Sequence, residues 1–125
     1  MDKISCTSET QVKKENTAEF VGSGTLPVFA TPSMAALMEN AAMKAAEKLL
    51  SEGETTVGLE LNIKHLSPSP IGANIKATAT LLQQEGRKLT FSVLATEDDK
   101  TIGEGIHIRY IVNIQKFMQK LGLPI

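Results

Sequence analysis

The sequence is poor in the residue types that build disulfides, metal centres and large aromatic surfaces. Among its 125 residues there are one cysteine, two histidines, one tyrosine and no tryptophan. With Cys6 as the single cysteine, an internal disulfide and a cysteine-based metal site are both excluded. Two histidines without clustered acids around them do not form a convincing ligand set either, so the sequence predicts no metal site.

The sequence also lacks an excess of charge of either sign. Thirteen basic residues face fourteen acidic ones, and no basic run is longer than two. Nucleic-acid-binding proteins usually carry a basic patch, so we expect no nucleic-acid partner. No stretch approaches the ~20 apolar residues of a membrane span, and the first residues are too polar for a signal peptide. We therefore expect a cytoplasmic protein without a membrane partner, folded as one domain over residues 1–125.

The most apolar stretch runs from Thr31 to Ser51 and predicts a long helix. Thr31 is a suitable N-cap, Pro32 suits the first helical position, and Gly53 follows the expected end. The first three turns contain almost only alanine, methionine and leucine, and Glu39 is their single charged residue. A surface helix would show a broad polar back. The composition therefore indicates a helix wrapped by other elements.

The remainder of the chain predicts strands, because apolar and polar residues alternate in it. Glu85-Gly86 is a hairpin signal between two of these strands. The predicted strands cover residues 57–65, 73–84, 88–96 and 101–114. A weaker strand is predicted at 4–14, and Thr17–Val21 continues it. The tail is predicted to form one helical turn.

The order of these elements predicts an α+β hotdog fold. Short turns between successive strands imply antiparallel neighbours. Strands of about ten residues span roughly 33 Å, which matches the ~30 Å length of the helix. An antiparallel sheet of five to six strands wrapped around one long central helix satisfies both observations. The alternative is another α+β sandwich, with the helix laid flat on the sheet.

Glu39 and His65 are the candidates for chemistry. The strand alternation places His65 on the face that would meet the helix, and Glu39 lies among apolar helical neighbours. A carboxylate and an imidazole directed into one apolar space form a plausible acid/base pair. A structural interpretation stays open for each: Glu39 pairs with a buried base or is exposed through a gap, and His65 is a satisfied core residue.

Thr31 and Gly58 are weaker candidates. Thr31 could cap the helix and still hydrogen-bond a ligand, but ~12 Å of regular helix separate it from Glu39. Either the two residues flank a substrate, or Thr31 bends back in the loop, or protomers share the site. Gly58 could offer an unobstructed backbone N–H or simply relieve crowding at the strand entry. For His107 and Arg109 we predict a structural or surface role.

Four segments resemble the fluoroacetyl-CoA thioesterase-like branch of the hotdog superfamily, over roughly residues 25–118. The segments are VFATPSMAALMENA, VGLELNIKH, GRKLTFSV and GEGIHIRYIV. In that family the catalytic set is a threonine just before the helix, a glutamate eight residues later and a histidine twenty-six residues further. Thr31, Glu39 and His65 stand at these spacings. Gly58 matches the family glycine whose amide helps hold the substrate.

The resemblance implies an acyl-CoA thioesterase acting on a small or medium acyl thioester. Glu39 would act as general base or nucleophile. His65 would orient the reacting groups and help the thiolate leave. Thr31 would hydrogen-bond near the acyl group, and the Gly58 amide would stabilise the oxyanion. No cofactor is implied, since CoA is part of the substrate. Hotdog relatives imply a homodimer or dimer of dimers with the site at the interface.

One departure from the family pattern concerns substrate selectivity. The fluoroacetate-resistance enzyme carries lid phenylalanines, whereas counting back without gaps from Phe29 finds Gly22 and Thr25 here. We therefore expect no large preference for fluoroacetyl-CoA. Two other functions known for the fold stay open: a hydratase or dehydratase, and a non-catalytic acyl-CoA-binding protein.

Overall fold

The computed structural model describes residues 3–124 and contains five strands and three α-helices in that range. Two 3-10 turns, Lys14–Asn16 and Glu47–Leu49, flank the α-helices. The elements are β1 (Ser5–Gln11), α1 (Ala18–Val21), α2 (Thr31–Ala46), β2 (Glu54–His65), β3 (Asn74–Glu85), β4 (Lys88–Glu97), β5 (Lys100–Asn113) and α3 (Ile114–Lys120).

The five strands form one antiparallel sheet in the order β1-β3-β4-β5-β2. β1 and β2 are therefore the edge strands, and the central helix α2 packs against the inner face of the sheet. This is the predicted hotdog architecture, with five strands. The predicted hairpin between β3 and β4 is also present, with Gly86 at a φ of 62° in its turn.

The core lies between the buried side of α2 and the inner face of the sheet. Six helix residues are buried: Met34, Met38, Ala41, Ala42, Ala45 and Ala46. Most of these are alanines, so the sheet can approach the helix closely. At Gly103 on β5 the helix and the sheet are so close that a Cβ would clash with the Met34 sulfur. The tight packing of helix on sheet explains why small residues recur on both.

One side of α2 is not covered within the protomer. Pro32, Ala36 and Asn40 are exposed on that side. Asn40 accepts a hydrogen bond from Ser8, so this side of α2 borders the β1 edge of the sheet. At the opposite edge, β2 leaves Leu59 62% exposed. The prediction of a wrapped helix therefore holds for one side of α2, while its other side is open within the protomer.

The segment between β1 and α2 differs from the prediction. Thr17–Val21 does not continue a strand, because residues Ala18–Val21 form α1 and Gly22, at a φ of 90°, ends it in the left-handed conformation. The chain then returns, and a β-bridge joins Thr17 to Phe29. We call residues 17–29 the flap. Its tip contains Gly22 and Thr25.

Helix α2 also ends earlier than predicted. It ends at Ala46 and tightens into the 3-10 turn Glu47–Leu49, so Gly53 lies in the following turn and is not the helix cap. Within residues 3–124 the structure contains no helix with the length and hydropathy needed to cross a membrane.

Candidate functional site

Thr31 and His65 meet at one end of α2. The helix begins at Thr31, and Ala30 occupies the N-cap position, so the prediction that Thr31 caps the helix is wrong. Its Oγ1 instead lies 2.8 Å from Nδ1 of His65, the last residue of β2. A hydroxyl at the first helical position points away from the helical amides, and the imidazole is the partner within reach. Thr31 is exposed and His65 half-buried.

The second nitrogen of His65 has no partner among the described residues. Nε2 is buried yet forms no hydrogen bond there. Burial is the main cause that lowers the pKa of His65, and the nearby Ser67 backbone opposes that shift. Buried polar atoms in proteins are nearly always hydrogen-bonded. A neutral imidazole with one unpartnered nitrogen is therefore suited to receive a group from outside the protomer.

An open groove of about 330 Å³ lies beside this pair. Phe29 forms one wall and meets the His65 ring edge-on, with ring centroids 6.5 Å apart. The other lining residues include Ala18, Val28, Leu66, Ser67 and Pro68. The groove thus connects the flap with the end of β2 and exposes Thr31 and His65 to a ligand.

Glu39 lies in a different group, beside Gly58. A Cβ built on Gly58 would lie 3.8 Å from Glu39 Oε2, 3.5 Å from Arg109 Nη1 and 3.3 Å from His107 Cε1. The last distance is tighter than ordinary van der Waals contact. We call this space, which the missing side chain of Gly58 leaves open, the Gly58 void. A carboxylate, a guanidinium and an imidazole surround it, so the absence of a side chain at Gly58 leaves room for polar groups of α2 and β5 to lie close together.

His107 and Arg109 are buried, with 1% and 7% of their surface exposed. A surface role is therefore wrong for both. The buried residues of β5 are Ile102, Gly103, His107, Arg109 and Ile111, while Ile106 and Tyr110 are exposed.

The inner face of β5 is polar where it meets Glu39, so hydropathy alone does not identify His107 and Arg109 as buried residues. The signal that could have found the buried pair is the i, i+2 spacing of His107 and Arg109, which places both on one face of a strand.

A hydrogen-bond network immobilises both side chains. His107 Nδ1–H donates to the Glu60 carbonyl at 2.8 Å, so Nε2 is free to accept from Arg109 Nη1 at 3.1 Å. Arg109 also donates from Nε to Thr56 Oγ1 at 2.8 Å and from Nη2 to the Thr56 carbonyl at 3.1 Å. His107 is therefore neutral in this arrangement.

The four predicted site residues thus separate into two half-sites within a protomer. Thr31 and His65 form one half-site, and Glu39 and Gly58 form the other. About 12 Å of helix separates Thr31 from Glu39. Gly58 and His65 both belong to the edge strand β2, so the two half-sites lie along the same free edge of the sheet.

The neutral state of His107 predicts a pH-dependent stability. Burial is the main cause that lowers the pKa of His107, and the Arg109 charge adds to it, while the Glu60 carbonyl and the Glu39 charge oppose it. The pKa of His107 in the folded protein lies below the ordinary value of 6.5. The neutral imidazole therefore contributes fully to stability above pH 6.5, and the free energy of unfolding falls as the pH drops toward the pKa of the folded protein. Each such histidine contributes at most ~1.4 kcal/mol per pH unit to the slope of the free energy of unfolding against pH.

Urea unfolding between pH 7.5 and 5.5 measures this slope. His107→Gln keeps a donor and an acceptor but does not titrate, so its free energy of unfolding should fall less steeply than that of the wild type. His65→Gln should flatten the slope as well, because burial also lowers the pKa of His65. A wild-type stability that rises as the pH drops below 6.5 would contradict the neutral assignment.

Comparison with known proteins identifies the family. The sequence profile of the fluoroacetyl-CoA-specific thioesterases matches residues 12–115. The chain belongs to this family. A fluoroacetyl-CoA thioesterase from Streptantibioticus cattleyicolor is 36% identical over 94 residues, which cover 75% of this chain and 68% of that protein. The family assignment confirms the predicted resemblance and the predicted class, an acyl-CoA thioester hydrolase.

Solved structures agree with the fold. The fluoroacetyl-CoA thioesterase FlK superposes with a TM-score of 0.89 at 29% identity, over 98% of this chain and 95% of that chain. A thioesterase superfamily member from Thermus thermophilus also gives 0.89, at 28% identity, over 98% of this chain and 90% of that chain. A variant of FlK was solved in complex with fluoroacetate and CoA, and it matches with a TM-score of 0.85 at 29% identity, over 94% of this chain and 98% of that chain. These likenesses confirm the hotdog fold.

Proposed function

We propose that the protein hydrolyses a small or medium acyl-CoA to the free acid and CoA, using Thr31, Glu39, His65 and Gly58. The observation that carries the proposal is the Gly58 void, where Glu39 Oε2, Arg109 Nη1 and the His107 ring all lie within 4 Å of the position of a Cβ on Gly58. The family assignment and the relative named for fluoroacetyl-CoA support the same substrate class. The acyl group binds in or beside this void.

The proposed chemistry needs only the residues of the two half-sites. Glu39 takes a proton from water while the water oxygen attacks the thioester carbonyl carbon, or the carboxylate attacks that carbon itself and water hydrolyses the resulting anhydride. The Gly58 amide stabilises the negative charge that develops on the carbonyl oxygen. In the first route the carbon–sulfur bond then breaks, and the proton that Glu39 took passes to the CoA thiolate. In the second route this bond breaks as the anhydride forms, and the water that hydrolyses the anhydride supplies the proton for the thiolate. Thr31 orients His65, which lies beside the leaving group.

A thioester is already activated, so the proposed reaction uses no cofactor or metal ion. Among residues 3–124, no three histidine, cysteine or acidic side chains come together as metal ligands. The proposal keeps the cytoplasmic location expected from the composition, and it includes neither nucleic acid nor a membrane.

We further propose that the active unit is a homodimer joined along β2. A free edge strand readily pairs with a second strand, and β2 presents apolar residues along its edge. Gly58 and His65 are seven residues apart on β2. Antiparallel pairing of the two β2 strands about a two-fold axis near Leu61 would bring Gly58 of one protomer close to the partner's His65, with the β-bulge between Gly58 and Glu60 adjusting the register. The two half-sites would then combine across the interface, and a dimer of dimers would keep the same pairing.

A thiol-release assay over a panel of acyl-CoA thioesters tests the activity. Release of CoA from small and medium chains is expected, with free acid formed in equal amounts. Hydration of an enoyl-CoA without thiol release would instead indicate a hydratase. Tight binding of every acyl-CoA without turnover would indicate a non-catalytic binding protein.

The same panel measures selectivity for the fluorinated substrate. Gly22 and Thr25 at the tip of the flap are small and exposed. We therefore expect kcat/KM for fluoroacetyl-CoA to exceed that for acetyl-CoA by less than about a hundredfold, which corresponds to ~2.7 kcal/mol of transition-state binding. A larger ratio would show that another element closes over the acyl group, and Phe20 and Leu26, which are both exposed on the flap, are the first residues to test.

A further inference from the structure

Arg109 is a buried charge without a carboxylate in contact with it. It is 7% exposed, and the ion pair found among residues 3–124 joins Arg87 to Glu54 instead. Removing a charge from water is costly, and well-packed apolar residues often replace buried charges without loss of stability. Packing alone therefore does not explain an arginine at this position.

The guanidinium is held by neutral partners on one side only. Three of its five N–H groups are engaged, by the Thr56 hydroxyl, the Thr56 carbonyl and His107 Nε2. His107 is itself fixed by the Glu60 carbonyl. These bonds determine the plane of the guanidinium, and they leave Nη1 beside the Gly58 void with a second N–H that has no partner among them.

Glu39 lies on the other side of the same void. Glu39 Oε2 and Arg109 Nη1 are both within 4 Å of one point, the position of a Cβ on Gly58, yet they form no ion pair in the described structure. The Glu39 charge still acts on Arg109, since it opposes the lowering of the Arg109 pKa by burial. A direct bidentate ion pair with Arg109 would occupy both oxygens of the Glu39 carboxylate. The observed separation leaves a carboxylate oxygen free to react.

We infer that Thr56 and His107 are positioning residues: they hold Arg109 across the Gly58 void from Glu39, so that a fixed positive charge orients the carboxylate without pairing with it. The inference rests on the proposed function and deepens it, because it assigns a role to two residues that touch neither water nor thioester. Charge–charge attraction is strong where water is scarce, so a fixed guanidinium can act across the void.

Substitutions at Thr56 test the inference with little change in volume. Thr56→Val removes the hydroxyl that accepts from Arg109 Nε, and Thr56→Ser keeps it. Thr55→Val, one residue earlier on the same strand, is the matched control outside the network. We expect Thr56→Val to lower kcat by at least ~10-fold with KM changed less than ~3-fold, as for an interaction made in the transition state. Thr56→Ser and Thr55→Val should stay within about twofold of wild type.

Combination with Glu39→Gln shows whether Thr56 acts through the carboxylate. In that background Thr56→Val should lower the residual kcat less than ~2-fold, because residues that act as a unit are not additive. Equal losses in both backgrounds would overturn the inference, as would an unimpaired Thr56→Val or a Thr56→Ser as slow as Thr56→Val. If Thr56→Val does not fold, Arg109→Lys replaces it, since it keeps the charge and loses the planar fork.

A nuclear magnetic resonance measurement tests the network without turnover. The Arg109 Nε–H proton of the wild type should exchange with water far more slowly than that of the half-exposed Arg87, and Thr56→Val should accelerate it. The nitrogen shifts of His107 should show the Nδ1–H tautomer. Fast Arg109 exchange in the wild type would overturn the positioning role even if the enzyme is active. Wild-type protein that releases no thiol, with the network intact, would instead overturn the proposed function.

Discussion

Glu39→Gln is expected to lower kcat/KM at least ~100-fold, within the range for losing a positioned acid/base or nucleophilic group. Glutamine keeps the shape and the hydrogen-bonding capacity of the side chain but cannot accept a proton or attack a carbonyl. The melting temperature should change little or rise, because an ionised carboxylate beside apolar helix residues is costly to maintain. Steady-state kinetics and thermal unfolding on one preparation measure both effects.

The competing interpretation of Glu39 predicts a different combination. If Glu39 were a structural partner of a buried base, its loss would leave that charge unpaired and destabilise the fold by ~3 kcal/mol or more. The absence of a direct pair between Glu39 and Arg109 in the described residues favours the first outcome. Glu47→Gln is a suitable control, since Glu47 is an exposed acid in the turn that follows the same helix. A stable, fully active Glu39→Gln variant would remove Glu39 from the mechanism.

Mixing two inactive variants should restore activity if the half-sites combine between protomers. Glu39→Gln retains Thr31 and His65, and His65→Ala retains Glu39 and Gly58. In a mixed dimer one site then contains all four native residues, and the other contains both substitutions. After random reassociation from an equimolar mixture we expect about a quarter of wild-type activity, since half of the dimers are mixed and each has one intact site.

The control for this experiment is a mixture of Glu39→Gln with the Glu39→Gln/His65→Ala double variant, in which no intact site forms in either arrangement. Light scattering at micromolar concentration should show a dimer or a multiple of one for every protein used. Mixed dimers that remain as inactive as their parents would place the complete site within one protomer. A well-behaved active monomer would contradict the interface altogether.

The main features of the fold follow from patterns that are local in the sequence. The apolar segment with Thr31-Pro32 at its start predicted α2, whose first residue is Thr31 in the structure. Alternation and the Glu85-Gly86 turn predicted β3 and β4 within one or two residues. These signals are reliable because helix and strand periods are properties of the backbone, and a long helix with matching strands leaves few architectures.

The details of the site were less predictable. From the sequence, the hydroxyl of Thr31 could hydrogen-bond either a helical amide or an imidazole. It bonds His65 because the end of β2 brings that imidazole next to the start of α2. His107 and Arg109 were missed because a polar pair on the inner face of a strand looks like its outer face when hydropathy is the guide. Glu39 lies on another element, the helix, and reaches the inner face of β5, so only the tertiary structure shows that this polar pair is buried.

The amino-acid sequence by itself determined which residues could do the chemistry. Thr31, Glu39, Gly58 and His65 stand at family spacings on elements whose periodicity is clear. Only the tertiary structure decided how they are grouped, as two half-sites about two helical turns apart, and that Thr56, His107 and Arg109 surround one of them. The physical reason is that spacing along a chain determines the face and height of a residue within its own element, whereas distances between elements depend on the register and packing of the whole sheet.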